Sequence, residues 1–181
     1  MLHLVSDLRG WFAAMACGNP CLTFSAGLVF AKPNTPVRQL AAAADDAIDA
    51  AKNPKEAKDA GRNRITIGTN TLTWDQFSQS LELHRTLLAA VSASGDQRPG
   101  MNVSLLYRLL QYGRMAMAGK SATNLRWRAQ MSYDLKRNLR ESPANAKVQE
   151  HLAGIRSRDD AAVLYTAAVF TLYYLRGGTD E

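Results

Sequence analysis

Every stretch with strand character lies in the first 72 residues, and from about residue 74 to the end the chain reads as one helix after another. A chain patterned in this way folds as a small α/β unit followed by an all-α unit. A single sheet running through the molecule is excluded.

In the first part, Leu4, Leu8, Trp11, Phe12 and Met15 recur at helical spacing, and Gly18-Asn19-Pro20 closes that amphipathic helix. From Cys21 to Ala31 the period changes to two. Leu22, Phe24, Ala26, Leu28 and Phe30 form an apolar face expected to pack on helices. Thr23, Ser25 and Gly27 form a face of small groups on which a ligand or a second backbone can lie close. Thr35 as N-cap and Pro36 at the first helical position start a helix to about Asn53. Its stripe of Val37, Leu40, Ala41, Ala44, Ile48 and Ala51 is expected to cover the sheet. Pro54 ends that helix, and Arg64-Ile65-Thr66-Ile67 supplies a short β-branched strand.

Thr73 and Gln76 then fit a capping box for a helix from Trp74 to about Ser94. Asn102 is expected to cap a helix through about Ala118, and Ser121 one through about Glu141. Further helices are expected around residues 144–155 and 159–175. The run Ala161 to Leu175 carries no charge but is shorter than the roughly 20 residues that span a bilayer, so it reads as a buried helix. Tyr165, Phe170, Tyr173 and Tyr174 are read as bundle core. The fold class is α+β: a helix-strand-helix-strand unit to residue 72, then a helical bundle over 73–181.

The net charge of +6 is uneven. Residues 76–181 hold 14 basic and 9 acidic side chains, against 8 and 7 before them. Between Arg108 and Arg140, the cations Arg114, Lys120, Arg126, Arg128, Lys136 and Arg137 stand with Asp134 as the one acid, a window able to meet phosphate or an acidic protein face. No aromatic interleaving marks a base-stacking platform there. Cys17 and Cys21, with only His3, His84 and His151 beside them, make no zinc pattern and read as buried free thiols. Asp45, Asp46 and Asp49 read as a solvated helix face and not as a metal cluster. The N-terminus lacks a basic leader, so a cytoplasmic protein without a membrane segment is expected.

Ser25-Ala26-Gly27, Leu40, Ala44-Asp45, Ala51-Lys52 and Gly61-Arg62-Asn63-Arg64, in that order, resemble the second half of GGDEF-type nucleotide-cyclase palms. Asp49 stands where that family usually has an aromatic residue, and residues 53–60 are extra. The segments Asn102 to Leu110 and Trp127 to Leu135 resemble the C-terminal bundle of the Csm-type large subunit of type III-A CRISPR interference complexes, in which the bundle follows the second palm. That resemblance implies a part in antiviral defence, with ATP and a divalent metal, Mg or Mn, used by the intact subunit to make cyclic oligoadenylates. It places Ser25 and Gly27 beside the nucleotide and Lys52 or Arg62 near its phosphates. The implied partners are the remainder of the large subunit, the small helical subunits and, indirectly, crRNA and target RNA. The family's Gly-Gly-Asp-Asp turn does not occur in the chain. The chain is therefore expected to start after the catalytic hairpin, and to bind no cofactor and catalyse nothing alone. The alternatives are a degenerate GGDEF-like nucleotide-binding regulator and a basic helical RNA-binding module.

Overall fold

The structure, a computed structural model, describes residues 2–32, 34–53, 62–92, 100–118, 126–139 and 143–177. The chain divides into two compact units, Met1–Asp75 and Gln76–Glu181.

In the first unit, helix α1 (Leu2–Met15) leads to strand β1 (Ala26–Leu28), helix α2 (Val37–Lys52) and strands β2 (Arg64–Ile67) and β3 (Asn70–Thr73). The sheet order is β1-β2-β3. β1 runs parallel to β2, with Gly27 opposite Thr66, and β2 runs antiparallel to β3, with Thr66 opposite Thr71. Parallel neighbours need a crossover, and α2 provides it, completing a βαβ unit.

β3 is absent from the sequence reading. The turn that makes it possible is Gly68-Thr69: Gly68 takes a φ of 61° and Thr69 does not have a positive φ, the arrangement of a type II′ hairpin turn. β1 is also shorter than the alternation from Cys21 to Ala31 suggested, because only Ala26 to Leu28 find partners in β2.

The face covered by α2 is the reverse of the one expected. A Cβ placed on Gly27 would lie 2.8 Å from the Ile48 nitrogen and 3.0 Å from the Ala47 carbonyl carbon, so the small-residue face lies under α2. Thr66 shares that face, is buried, and bonds the Thr71 hydroxyl across the strands at 2.9 Å. Ala47 and Ala51 are the buried residues of α2, while Val37, Leu40 and Ala41 are exposed. The α2 stripe is thus rotated toward its alanines, whose short side chains permit the close approach to Gly27. α2 begins at Val37 with Pro36 as its N-cap, one residue later than Thr35-Pro36 suggested.

α1 turns Val5 and Phe12 inward. Phe12 stacks at 5.6 Å on Phe24, which stands 5.7 Å from Trp74, and the Trp74 indole N–H donates to the Phe24 carbonyl at 3.0 Å. The Arg9 guanidinium caps the Trp74 ring at 4.9 Å. Leu4, Leu8, Trp11 and Met15 are exposed along one helical stripe. Cys17 and Cys21 are also exposed, correcting the expectation of buried thiols; the φ of 50° at Cys17 and 70° at Gly18 carries the chain out of α1 in an exposed turn.

The second unit contains α3 (Trp74–Ser92, its first two residues belonging to the first unit), α4 (Val103–Met117), α5 (Trp127–Asn138), α6 (Pro143–Ala153) and α7 (Arg158–Gly177). Leu87 from α3, Leu105, Leu106 and Leu109 from α4, Val148 from α6 and Leu164 from α7 belong to one buried cluster. α4 and α7 approach closely at Gly113, whose added Cβ would lie 2.9 Å from the Tyr165 Cβ. The Ala161–Leu172 stretch of α7 is mostly buried, and no described helix is long and apolar enough to cross a membrane. Phe170 is core, but Tyr173 and Tyr174 are exposed, because they fall on the outer side of the last turns of α7.

Asn102 caps α4 as expected, its side-chain oxygen accepting from the Ser104 N–H at 2.9 Å. Asn102→Ala is expected to cost about 1 kcal/mol in a urea unfolding curve, the usual worth of such a cap. Ser121, the other expected cap, lies outside the described residues. A capping box that the sequence reading passed over starts α7: the Asp160 N–H donates to Ser157 Oγ at 3.0 Å, and the Asp160 carboxylate accepts from the Ser157 and Arg156 N–H groups. Burial alone would raise the Asp160 pKa, but those N–H groups and the nearby Arg128 charge hold it below the usual carboxylate value.

Candidate functional site

In the first unit, the chain topology gathers three of the sequence-derived residues at one end. Ser25 immediately precedes β1 and Arg62 lies two residues before β2, so both stand at the N-terminal end of the parallel pair. A crossover helix runs antiparallel to the strands it joins, and the last residue of α2, Lys52, therefore falls at the same end. The Ser25 hydroxyl accepts from the Asn63 N–H at 3.2 Å, tying the entry of β1 to the entry of β2. Asn63 has a φ of 74°, a conformation that asparagine tolerates better than most residues.

Ser25 still has a hydroxyl proton to donate, and Arg62 and Lys52 are exposed cations. The three can present a donor and two positive charges to a phosphate-bearing ligand. Gly27 differs, since its open side is filled by α2 and only its backbone is left for a ligand. Among the described residues no group of three or more His, Cys, Asp or Glu side chains is placed to hold a metal ion. Ser25, Lys52 and Arg62 themselves carry no carboxylate, so what they offer a ligand is a hydroxyl and positive charge.

The bundle carries a second polar constellation, between α4 and α5. Arg108 Nη1 donates to Asp134 Oδ1 at 2.7 Å, and the Tyr112 hydroxyl donates to Asp134 Oδ2 in a short hydrogen bond. Asp134 is buried although its side chain is charged, and Tyr112 is buried beside it. Burial, the hydrogen bond to Asp134 and the Asp134 charge together push the Tyr112 pKa up to about 12, with Arg108 opposing. Arg108 is half exposed and opens onto a cleft of about 310 Å³ lined also by Gln111, Gln130 and Tyr133.

The sequence-derived cations occupy varied settings. Arg114 lies 5.6 Å over the Tyr165 ring, and Arg128 lies 5.2 Å over Trp127 while donating to the Arg156 carbonyl. Arg137 donates to the Tyr133 hydroxyl at 3.2 Å. Arg126 and Lys136 are exposed, and Lys120 lies outside the described residues. His84, set aside in the sequence reading, bonds Thr171. The Thr171 hydroxyl donates to the Ala167 carbonyl, so His84 Nδ1 is the donor in the 2.9 Å contact and the bond fixes the ring between helices.

Residues 1–66 match the family model described as Cas10/Cmr2, second palm domain. The match ends within β2 and so takes in about a third of the chain. It covers the βαβ crossover and the end that carries Ser25, Lys52 and Arg62, and leaves β3 and the bundle outside. No curated protein and no solved structure matches the chain.

Proposed function

We propose that this chain belongs to the large subunit of a type III-A, Csm-like CRISPR interference complex, where its first unit forms one wall of an ATP pocket for cyclic oligoadenylate synthesis. The observation that carries this is the palm match over residues 1–66, on a βαβ unit that sets Ser25, Lys52 and Arg62 at one end. The complementary wall, with the metal-binding carboxylates, comes from the remainder of the subunit. In support, β1 stands at the edge of the sheet, and α1 exposes Leu4, Leu8, Trp11 and Met15 in a stripe where further apolar structure can pack. The bundle docks onto the small helical subunits in the cytoplasm, near crRNA and target RNA, as part of antiviral defence.

The fragment alone is catalytically inert in this reading, and its pocket is split. Isothermal titration of ATP with magnesium into the chain, with and without the preceding palm half of the same subunit, checks it. Saturable binding is expected in the mixture only, and Arg62→Ala or Lys52→Ala is expected to weaken it about tenfold or more, the worth of a lost charge-assisted hydrogen bond. Equal binding by the chain alone sinks the split pocket and favours a self-contained nucleotide-binding regulator. Cyclic product made from ATP by the chain alone refutes the inert reading.

A further inference from the structure

We propose that the α4–α5 cleft is a binding site for single-stranded nucleic acid, with Tyr133 as the surface on which a base stacks. This goes beyond the palm reading and does not depend on it, since every residue involved lies in the second unit. It also makes nucleic-acid contact by the bundle direct.

Charge is the first argument. The only acidic side chain on α4 or α5 is Asp134, which is buried and paired with Arg108, so the exposed surface of the two helices carries cations alone. Next comes an aromatic ring among those cations. Tyr133 lines the cleft, is 61% exposed and takes a hydrogen bond at its hydroxyl from Arg137 at 3.2 Å. An exposed ring beside a guanidinium joins stacking surface to positive charge, as single strands require.

The cleft floor supplies the third argument. Asp134 holds Arg108 by Nη1, leaving its other guanidinium N–H groups toward the opening. Gln111 and Gln130 add amides that both donate and accept, which suits a base edge, while a purely phosphate-binding surface needs donors only. An acidic protein face would use the cations but would leave the glutamine pair and the exposed Tyr133 without a role.

The test uses the full chain and fluorescence anisotropy with labelled single strands of roughly 10 nucleotides, within the usual site size for such surfaces. The probes are RNA, DNA of the same sequence, and the RNA duplex, each at low and at physiological salt. Single strands are expected to bind more tightly than the duplex, and affinity is expected to fall with salt by about 0.7 in logarithmic slope for each phosphate neutralised. Tyr133→Ala should weaken binding about fivefold or more, whereas Tyr133→Phe, which keeps the ring, should bind like the parent. Tyr133 is exposed, so an unchanged melting temperature separates lost stacking from lost folding. RNA bound more tightly than DNA assigns the site a 2′-hydroxyl contact, and equal affinity assigns it base and phosphate contacts only. Duplex bound as tightly as single strand, or Tyr133→Ala binding like the parent, overturns the proposal. Displacement of RNA by polyglutamate at equal charge identifies an acidic protein face and likewise overturns it.

Discussion

Gly27→Val is expected to destabilise the first unit by about 3 kcal/mol or more, and Gly27→Ala by about 1–3 kcal/mol, the usual range for overpacking a filled site. Intrinsic preference argues for the opposite sign, because glycine weakens a strand and valine favours one, each by up to about 1 kcal/mol. The geometry decides between them. The atoms that a Cβ would meet at 2.8 and 3.0 Å include the Ile48 nitrogen and the Ala47 carbonyl carbon. Backbone inside a helix cannot swing aside as the tip of a long side chain can, so α2 must move off the sheet and open the contacts of Ala47 and Ala51. Urea unfolding followed by tryptophan fluorescence reads the effect, since Trp74 is buried in the same unit. Equal or greater stability of the valine variant would show that α2 does not press on Gly27 as closely as the 2.8 Å approach requires.

That glycine also shows how far the sequence could be read. Small residues alternating with apolar ones announce a strand with one permissive face, but they do not say whether a helix or a ligand occupies it, and both possibilities stood open at Gly27. The sheet resolves the matter through α2, whose rotation toward Ala47 and Ala51 depends on how closely two backbones can approach. Periodicity alone does not encode that distance. β3 escaped notice for a related reason: Asn70-Thr71-Leu72-Thr73 has one apolar residue, and its strand identity comes from the hairpin closed by Gly68. By contrast, the α+β class, the Asn102 cap and the burial of Ala161 to Leu172 were legible, since each follows from local pattern.

The resemblance named Ser25, Lys52 and Arg62 one by one, and the parallel pairing of β1 with β2 is what sets them at one end of the unit. The α4–α5 cleft was legible only as an anomaly. Asp134 stood as the one acid among many cations, and the structure sets it on the inward face of α5 with Trp127 and Met131. A carboxylate in that position has to find buried partners, and sequence could not name Arg108 and Tyr112 because they lie 26 and 22 residues away.

Asp134→Ala is accordingly expected to cost about 3–5 kcal/mol, the range for removing one partner of a buried charged pair. The lower part of that range applies, because Arg108 is half exposed and water can take over its charge. Tyr112 has no such relief: it is buried, and without the carboxylate its hydroxyl loses the acceptor it now bonds. Comparing Asp134→Ala, Tyr112→Phe and the double variant in urea isolates their coupling, expected to be about 1 kcal/mol or more. Titration gives an independent check. In the folded chain the Tyr112 pKa lies above its ordinary value of 10, at about 12, so the phenol stays protonated where the unfolded chain has ionised. Its contribution to stability is therefore complete below pH 10 and is lost as the pH climbs from about 10 to about 12. In Tyr112→Phe that part of the alkaline decline should vanish. In Asp134→Ala, ultraviolet titration should find the Tyr112 phenolate forming at lower pH, because the carboxylate's hydrogen bond and charge no longer oppose ionisation. A phenolate forming at the same pH with and without Asp134 would show that burial alone protects the phenol, and that the short bond adds nothing to the bundle.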